Sequence, residues 1–540
     1  EALPRYLRRR KWFGGNARKI RSTKILEAAP MPGDPSRSHW TLLRVDYMDG
    51  EPETYLIPIG FAAGEKAAAV RREAPQAILA EIHPGGDGGS AEPEGVLLDL
   101  IYDADFGSAL LEGISRRRRW KGEQGEFAAI RTPAFRRLHR HGARLPYSVL
   151  KAEQTNSSVV YGDRFIAKLI RHPEEGTNPD LEVGLFLTER VGFSHAPPVA
   201  GAIEFRRRGV EEPMTLAILE GFVANQGDAW AYTLDALGRF FERMLGKGSE
   251  FPQPPVPRGR PLDLAASDPP AHVPRLVGSY LQSAQLLGCR TAELHLALAS
   301  EREDPDFAPE PFSMLYQRSL YQSLRSLASQ NLQLLRKLLP DLDADSRRRA
   351  EEVLQREEEI ATRLRALSSR KIDALRIRIH GDFHLGQALY TGKDFVLIDF
   401  EGEPARTLSA RRLKRSALVD VAGMLRSFDY AASAVLMGRA ETAPLRSEDR
   451  EALRPWALFW ERWVAGAFLR AYLEKAREGE FLPRDRTQLA LLLQACLLEK
   501  AIYEIGYEVQ NRPDWVGVAL TGVLKILARG EPVSEGGNES

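Results

Sequence analysis

Apolar and polar residues alternate along the first part of the chain and recur at helical spacing along the second. Trp40–Tyr47 and Thr54–Ile59 read as strands, with Gly85–Ser90 as a flexible connection. A second strand-rich block follows. Ser148–Glu153 and Ser158–Tyr161 are joined by a polar turn, and Arg164–Ile170 and Met214–Leu219 add two more strands. After about residue 223 the pattern turns helical. Residues 252–274 are rich in Pro, an ordered excursion or a surface loop. Leu320, Leu324 and Leu327, then Leu334, Leu335 and Leu338, fall at helical spacing before a break at Pro340-Asp341. Ile377–His380 and Phe395–Phe400 form one strand pair inside the helical part; helices resume to about Arg529, and Gly530–Ser540 reads as a frayed tail. No internal repeat is visible.

A β-rich first part, a helical second part and one short hairpin within it predict an α+β, two-lobed phosphotransferase fold rather than a doubly wound sheet. The 540 residues, 43% hydrophobic and 28% charged, suffice for two or more packed lobes. Lys plus Arg total 75 against 74 Asp plus Glu, a net charge of +1, so no global field draws the chain to nucleic acid or to a membrane. The short basic runs Arg116–Arg119, Arg206–Arg208 and Arg347–Arg349 read as solvated faces. No apolar run approaches the ~18 residues of a membrane span, and no secretory signal opens the chain. Cys289 and Cys496 make neither a disulfide framework nor a zinc site; they read as reduced thiols of a cytoplasmic protein. The start at Glu1 rather than Met suggests a piece of a longer polypeptide.

The candidate chemistry sits in Arg378-Ile-His-Gly-Asp-Phe-His-Leu-Gly-Gln387 and Val396-Leu-Ile-Asp-Phe-Glu401. Phosphoryl transfer from ATP needs a carboxylate to orient the attacking hydroxyl and take its proton, and hard oxygen ligands to hold Mg²⁺. Asp382 is the candidate base, and Gln387 and Asp399 are the candidate metal ligands. The bland alternative is a hairpin with polar turn residues. His380 is expected to brace the loop, and His384 is open between loop support and substrate contact. Lys168, charged within an apolar strand, is the candidate phosphate-binding lysine, with Glu182 just inside a helix start as its partner; the alternative is an edge lysine reaching water. No glycine-rich loop is present. The turn Glu153–Ser158, through Asn156, Ser157 and Ser158, stands where phosphates would be capped. Leu219–Val223, with Glu220 and Phe222, reads as the hinge that meets adenine, or equally as a surface turn. Asp420 precedes a helical pattern and reads first as its N-cap, with bracing of the catalytic loop as the alternative.

His380-Gly-Asp-Phe-His384 with Ile398-Asp-Phe-Glu401 resembles the aminoglycoside-phosphotransferase and choline-kinase branch of the protein-kinase-like superfamily, with Gln387 where Asn is usual. The surroundings resemble the maltokinase family more closely. The matching segments are Asp399-Phe-Glu-Gly-Glu-Pro404, Asp420-Val-Ala-Gly-Met-Leu-Arg426, Leu3-Pro-Arg-Tyr-Leu7, Trp12-Phe-Gly-Gly15, Arg290-Thr-Ala-Glu-Leu-His295 and Glu499-Lys-Ala-Ile-Tyr-Glu504. That resemblance implies ATP and Mg²⁺ as cofactors, maltose as substrate, maltose 1-phosphate as product and a place in α-glucan synthesis from trehalose. It also implies trehalose synthase as a fused or associated partner. It divides the chain into a cap (1–94), an intermediate subdomain (95–150), a nucleotide-binding sheet (151–222) and a helical lobe (223–540). Sugar contacts would come from His384, Glu401, Arg426, Tyr430, Glu499, Lys500, Tyr503, Glu504 and Tyr507. A related kinase for an aminoglycoside, choline or glucosamine, and a non-catalytic scaffold of the same fold, are the rival readings.

Overall fold

The computed structural model describes residues 2–31, 38–83, 95–139, 145–150, 155–246, 254–257, 259–440, 445–446 and 448–528. The linker at 85–90, the first half of the 153–158 turn and the tail at 530–540 lie outside the described residues. The chain forms two compact units, Glu1–Ala224 and Asn225–Ser540.

The first unit is built on two antiparallel sheets. The first holds β1 (Ile20–Pro30), β2 (Ser38–Tyr47), β3 (Glu53–Leu56), β4 (Ile59–Ala63), β5 (Ile78–Ile82) and β6 (Gly95–Asp99), in the order β1-β2-β4-β6-β5 with β3 also on β2. The strand expected over Thr54–Ile59 is therefore two, parted at Pro58, which has no N–H to give a ladder. The second holds β7 (Arg119–Lys121), β8 (Gly125–Arg131), β9 (Tyr147–Val149), β10 (Ser157–Tyr161), β11 (Phe165–Leu169), β12 (Val199–Arg207) and β13 (Met214–Gly221), in the order β7-β8-β12-β13-β11-β10-β9.

One apolar core runs through both sheets. Trp40 of β2 stacks on Phe127 of β8 at 6.0 Å and meets Trp120 and Phe106 edge-on. Beside it lies a buried charge. Arg171, just past β11, donates to Asp99 Oδ2 at 2.7 Å, to Ser157 Oγ at 2.8 Å and to Leu56 O at 3.2 Å. Asp99 also accepts from the Tyr6 hydroxyl at 2.8 Å. A buried guanidinium is tolerable only with its donors used, and here they fasten the two sheets together.

The second unit is helical. The helix Leu418–Leu436 is apolar or small nearly all round and is buried along almost its whole length, as such a pattern requires. Helices Ala229–Gly246, Asp449–Ala476 and Arg486–Asn511 pack on it. The break expected at Pro340-Asp341 ends the helix Met314–Leu338.

The strand pair forms differently from the expected one. Ala388–Tyr390 pairs with Phe395–Leu397, while Leu375–Arg376 pairs with Glu310–Pro311 and Ile377 bridges to Arg415. The N–H groups of His380 and Gly381 are taken by the Asp420 carboxylate, so the segment before Asp382 cannot join a ladder with Phe395–Phe400.

Candidate active site

In the first unit, β11 points Phe165, Ala167 and Leu169 into the core and Lys168 to the other face. Lys168 Nζ meets Asp180 Oδ2 at 2.9 Å, with the Asp180 side chain only 2% exposed. Asp180 and the expected partner Glu182 share the first turn of the helix Pro179–Leu185, which Asn178 caps by accepting from Asp180 N at 2.8 Å. Asn156 Oδ1 accepts from Arg171 N at 3.2 Å and Ser157 Oγ from Arg171 Nε, so both side chains brace the turn. Ser158 pairs with Lys168 across β10 and β11. Glu220 is half-buried at the end of β13 and Phe222 is exposed; Phe222 N donates to Arg164 O at 2.9 Å.

In the second unit, the hairpin brings Gln387 and Asp399 together. Ile398 N donates to Gln387 O at 3.0 Å, extending the ladder by one step, and Gln387 Nε2 donates to Asp399 Oδ2 at 2.9 Å. Asp399 takes the left-handed backbone, φ 68°, an uncommon conformation for a side-chain-bearing residue that is typical of functional turns. Half a turn of the Gln387 amide would set Oε1 beside the Asp399 carboxylate. These are hard oxygen donors that suit Mg²⁺.

The loop bearing Asp382 is held from three sides. His380 Nε2 donates to Ile398 O at 2.9 Å, tying the base loop to the strand that leads to Asp399. His384 Nδ1 accepts from Gly386 N at 3.0 Å, and burial holds its imidazole below the ordinary value, so the neutral ring supports the loop. Asp420 corrects the N-cap expectation. It lies inside the first helical turn, and its carboxylate accepts from His380 N at 2.8 Å and Gly381 N at 2.9 Å. Burial pushes that carboxyl up, but the His295 hydrogen bond and the nearby His295 and His380 charges outweigh it and hold it below the usual range.

Asp382 Oδ1 lies 3.3 Å from Lys500 Nζ. Burial would lower the Lys500 ammonium, but the charges of Asp382, Glu504 and Glu403 prevail and raise it, so it stays protonated. Lys500 Nζ also sits 5.2 Å from the Tyr503 ring centre. A recess of about 30 Å³ beside Asp382 is lined by Glu403, Arg406, Arg415, Glu499, Lys500 and Tyr503, among others; it holds a water rather than a sugar ring. Glu403 is paired with Arg406, and Glu499 with both Arg406 and Arg415.

Of the expected sugar contacts, Lys500, Tyr503 and Glu499 thus gather at the recess. Tyr507 lies one turn beyond Tyr503 on the same helix and is exposed. Glu401 is half-buried two residues past Asp399. Arg426, Glu504 and Tyr430 are buried elsewhere. Arg426 donates to Glu504 Oε2 at 2.7 and 2.9 Å and to Asp429, and Tyr430 stacks on Trp515 at 6.1 Å. A guanidinium 4% exposed with its donors used on Glu504 and Asp429 holds the packing here. Sequence reasoning missed Glu403, Arg406 and Arg415. Their only signal was a mixed charge run after Asp399, which reads as surface.

Residues 6–96 match a model described as the maltokinase N-terminal cap domain. The glucosamine kinase of Streptacidiphilus jiangxiensis is 25% identical over 391 residues, 69% of this chain and 72% of that one. That of Mycolicibacterium smegmatis is 25% identical over 382 residues, 71% and 79%. A solved glucosamine kinase in complex with glucosamine, ADP and inorganic phosphate superposes with a TM-score of 0.58 at 18% identity, covering 94% of each chain. A second crystal form gives 0.60 at 18% identity, over 96% of this chain and 97% of that one. The fold is thus that of the solved glucosamine kinases, and the curated relatives the chain matches are sugar kinases. Over residues 6–96 the chain also matches the maltokinase N-terminal cap.

Proposed function

We propose that the chain is a maltokinase, transferring the γ-phosphoryl group of ATP to the anomeric hydroxyl of maltose to give maltose 1-phosphate and ADP. The Asp382 carboxylate accepts the hydroxyl proton as the sugar oxygen bonds to phosphorus and the bond to the β-phosphate oxygen breaks. Gln387 and Asp399 would hold Mg²⁺, which when bound neutralises phosphate charge. Lys168, held by Asp180, is the phosphate-binding lysine of the first unit.

The observation that carries the choice of acceptor is the Lys500 ammonium against Asp382, beside which the carboxylates of Glu403 and Glu499 are already paired with arginines. An ammonium group presented to Asp382 meets this fixed cation as a like charge, whereas a neutral hydroxyl does not. The match to the maltokinase cap supports the same choice. Glucosamine is the second reading, favoured by the 25% identity to two glucosamine kinases. A glycosyl phosphate is an activated donor, so the product suits α-glucan chain growth, with trehalose synthase supplying maltose. No helix among the described residues is long and apolar enough to cross a membrane, and dependence on ATP fits a cytoplasmic enzyme.

The test is ADP release with maltose, glucosamine, glucose, choline and an aminoglycoside, with ³¹P NMR of the product. Turnover with maltose and an anomeric phosphate is expected. Turnover with glucosamine alone would establish the second reading, and none with any acceptor would leave a scaffold.

A further inference from the structure

Two side chains outside the catalytic assignment, Arg290 and His295, sit on one helix, Tyr280–Leu298. Arg290 grips Asp394 with a two-pronged pair, Nε to Oδ1 at 2.9 Å and Nη2 to Oδ2 at 2.8 Å. Asp394 closes the turn of the hairpin whose far ends carry Gln387 and Asp399; its carbonyl accepts from Thr391 N at 2.9 Å and its N–H donates to Thr391 Oγ1 at 3.1 Å. Five residues along the helix, His295 Nε2 meets Asp420 Oδ2 at 2.9 Å. Asp420 in turn holds the two N–H groups just before Asp382. Asp420, a carboxylate, accepts from Nε2, and Nδ1 lies 3.0 Å from the Tyr472 hydroxyl. His295, Asp420 and Tyr472 are all buried.

The helix is itself fixed in place. A Cβ on Gly288 would come within 2.3 Å of the Phe468 carbonyl oxygen, so the Tyr280–Leu298 helix lies directly on the backbone of Asp449–Ala476.

We infer that Arg290 and His295 are positioning residues for phosphoryl transfer: one rigid helix sets the metal-ligand hairpin in register with the base loop. Asp382 and the Gln387–Asp399 pair lie on separate turns, and the reaction needs both placed to within about 0.5 Å. A guanidinium fork on a carboxylate fixes angle as well as distance, which a lysine does not. An imidazole held between a hydroxyl and a carboxylate is likewise fixed in orientation. The inference rests on the kinase reading but not on the identity of the sugar.

The test uses the full chain, well below the melting temperature of each variant, with the acceptor that the wild type turns over best. Arg290→Lys is expected to raise the Mg²⁺ concentration for half-maximal rate about tenfold, and His295→Leu to lower kcat about tenfold or more with Mg²⁺ dependence unchanged. His295→Gln, which keeps a donor for Asp420, should recover most of that loss. Mn²⁺ affinity in the presence of ADP, read by electron paramagnetic resonance without any acceptor, should weaken in Arg290→Lys and hold in His295→Leu. If the variants lose melting temperature alone, with metal affinity and kcat like the wild type, the inference fails. A wild type that binds Mn²⁺–ADP but turns over no sugar would overturn the kinase reading, and the Mn²⁺ comparison would still decide this one.

Discussion

In the proposed reaction the Asp382 carboxylate takes a proton from a sugar hydroxyl while the Lys500 ammonium lies 3.3 Å away. Removing the base tests its role directly. Asp382→Asn should cut kcat by about 10²–10⁴-fold, the usual worth of a positioned base, with KM little changed. Undiminished turnover would dismiss Asp382 as the base. Lys500 bears on selectivity. Lys500→Met removes the cation that opposes an amino sugar, so the ratio of kcat/KM for maltose over glucosamine should fall about tenfold, equivalent to ~1.4 kcal/mol. An unchanged ratio would detach Lys500 from acceptor choice. The meeting of Gln387 with Asp399 was legible because both sit at the ends of short apolar segments joined by a turn. Lys168 was legible as a charge in an apolar strand, but its partner was not. Asp180 and Glu182 stand two apart in one helical turn, about 200° round the axis, and spacing alone does not show that Asp180 reaches the strand lysine.

At the scale of elements, the helix Leu418–Leu436 supports the catalytic loop in two ways. Asp420 takes the loop's N–H groups, and Gly423 lets the loop approach, since a Cβ there would stand 2.4 Å from the Phe383 carbonyl oxygen. Gly423→Ala must therefore move the residue next to the base. About 1–3 kcal/mol of stability should be lost, and kcat should fall tenfold or more, because catalytic groups tolerate little displacement. A variant with wild-type kcat would show that the loop yields freely. Three residues along, Arg426 joins Glu504 and Asp429, and Lys525 completes the set on Asp429. Arg426→Met strips the cation from a buried carboxylate and should cost about 3–5 kcal/mol in urea unfolding, with KM for the sugar unchanged in the protein that remains folded. A raised KM would restore the sugar contact read from the sequence. Helix patterns announced these elements, because apolar spacing survives over many residues. The hairpin register escaped because strands of three residues carry almost no pattern, and side chains such as Asp420 compete for the same N–H groups. Burial of Arg426 escaped because its partner Glu504 lies 78 positions away.

For the molecule as a whole, these buried carboxylates set the response to acid. In the second unit Asp420, Asp429 and Glu499 are each pushed up by burial, yet their partners outweigh it and hold each below its ordinary value: His295 for Asp420, Lys525 and Arg426 for Asp429, Arg415 and Arg406 for Glu499. Burial, joined by the nearby Glu504 charge, raises Glu508 against these, its Arg512 partner notwithstanding. In the first unit, Glu53 is the half-buried case, pushed up by burial and drawn below its ordinary value by Tyr47, Tyr55 and Arg18. A depressed carboxyl stays ionised in the folded chain while the unfolded chain already binds a proton. Its contribution is therefore complete above the ordinary values of 3.8 for Asp and 4.5 for Glu, and is lost as pH falls through the lower folded value. Glu508 works the other way, contributing below its ordinary value and losing it as pH rises, but one such group opposes three. Stability should accordingly be flat from pH 7 to about 5 and fall steeply below pH 4, with the second unit yielding first. Hydrogen exchange read by mass spectrometry at pH 7 and at pH 3.5, corrected for intrinsic rates, is the check. The helices Leu418–Leu436 and Arg486–Asn511 should lose protection at pH 3.5 while β2 and β8 keep theirs. Loss beginning in β2 and β8 would mean that acid lability is governed by the first unit's Arg171–Asp99 fastening instead.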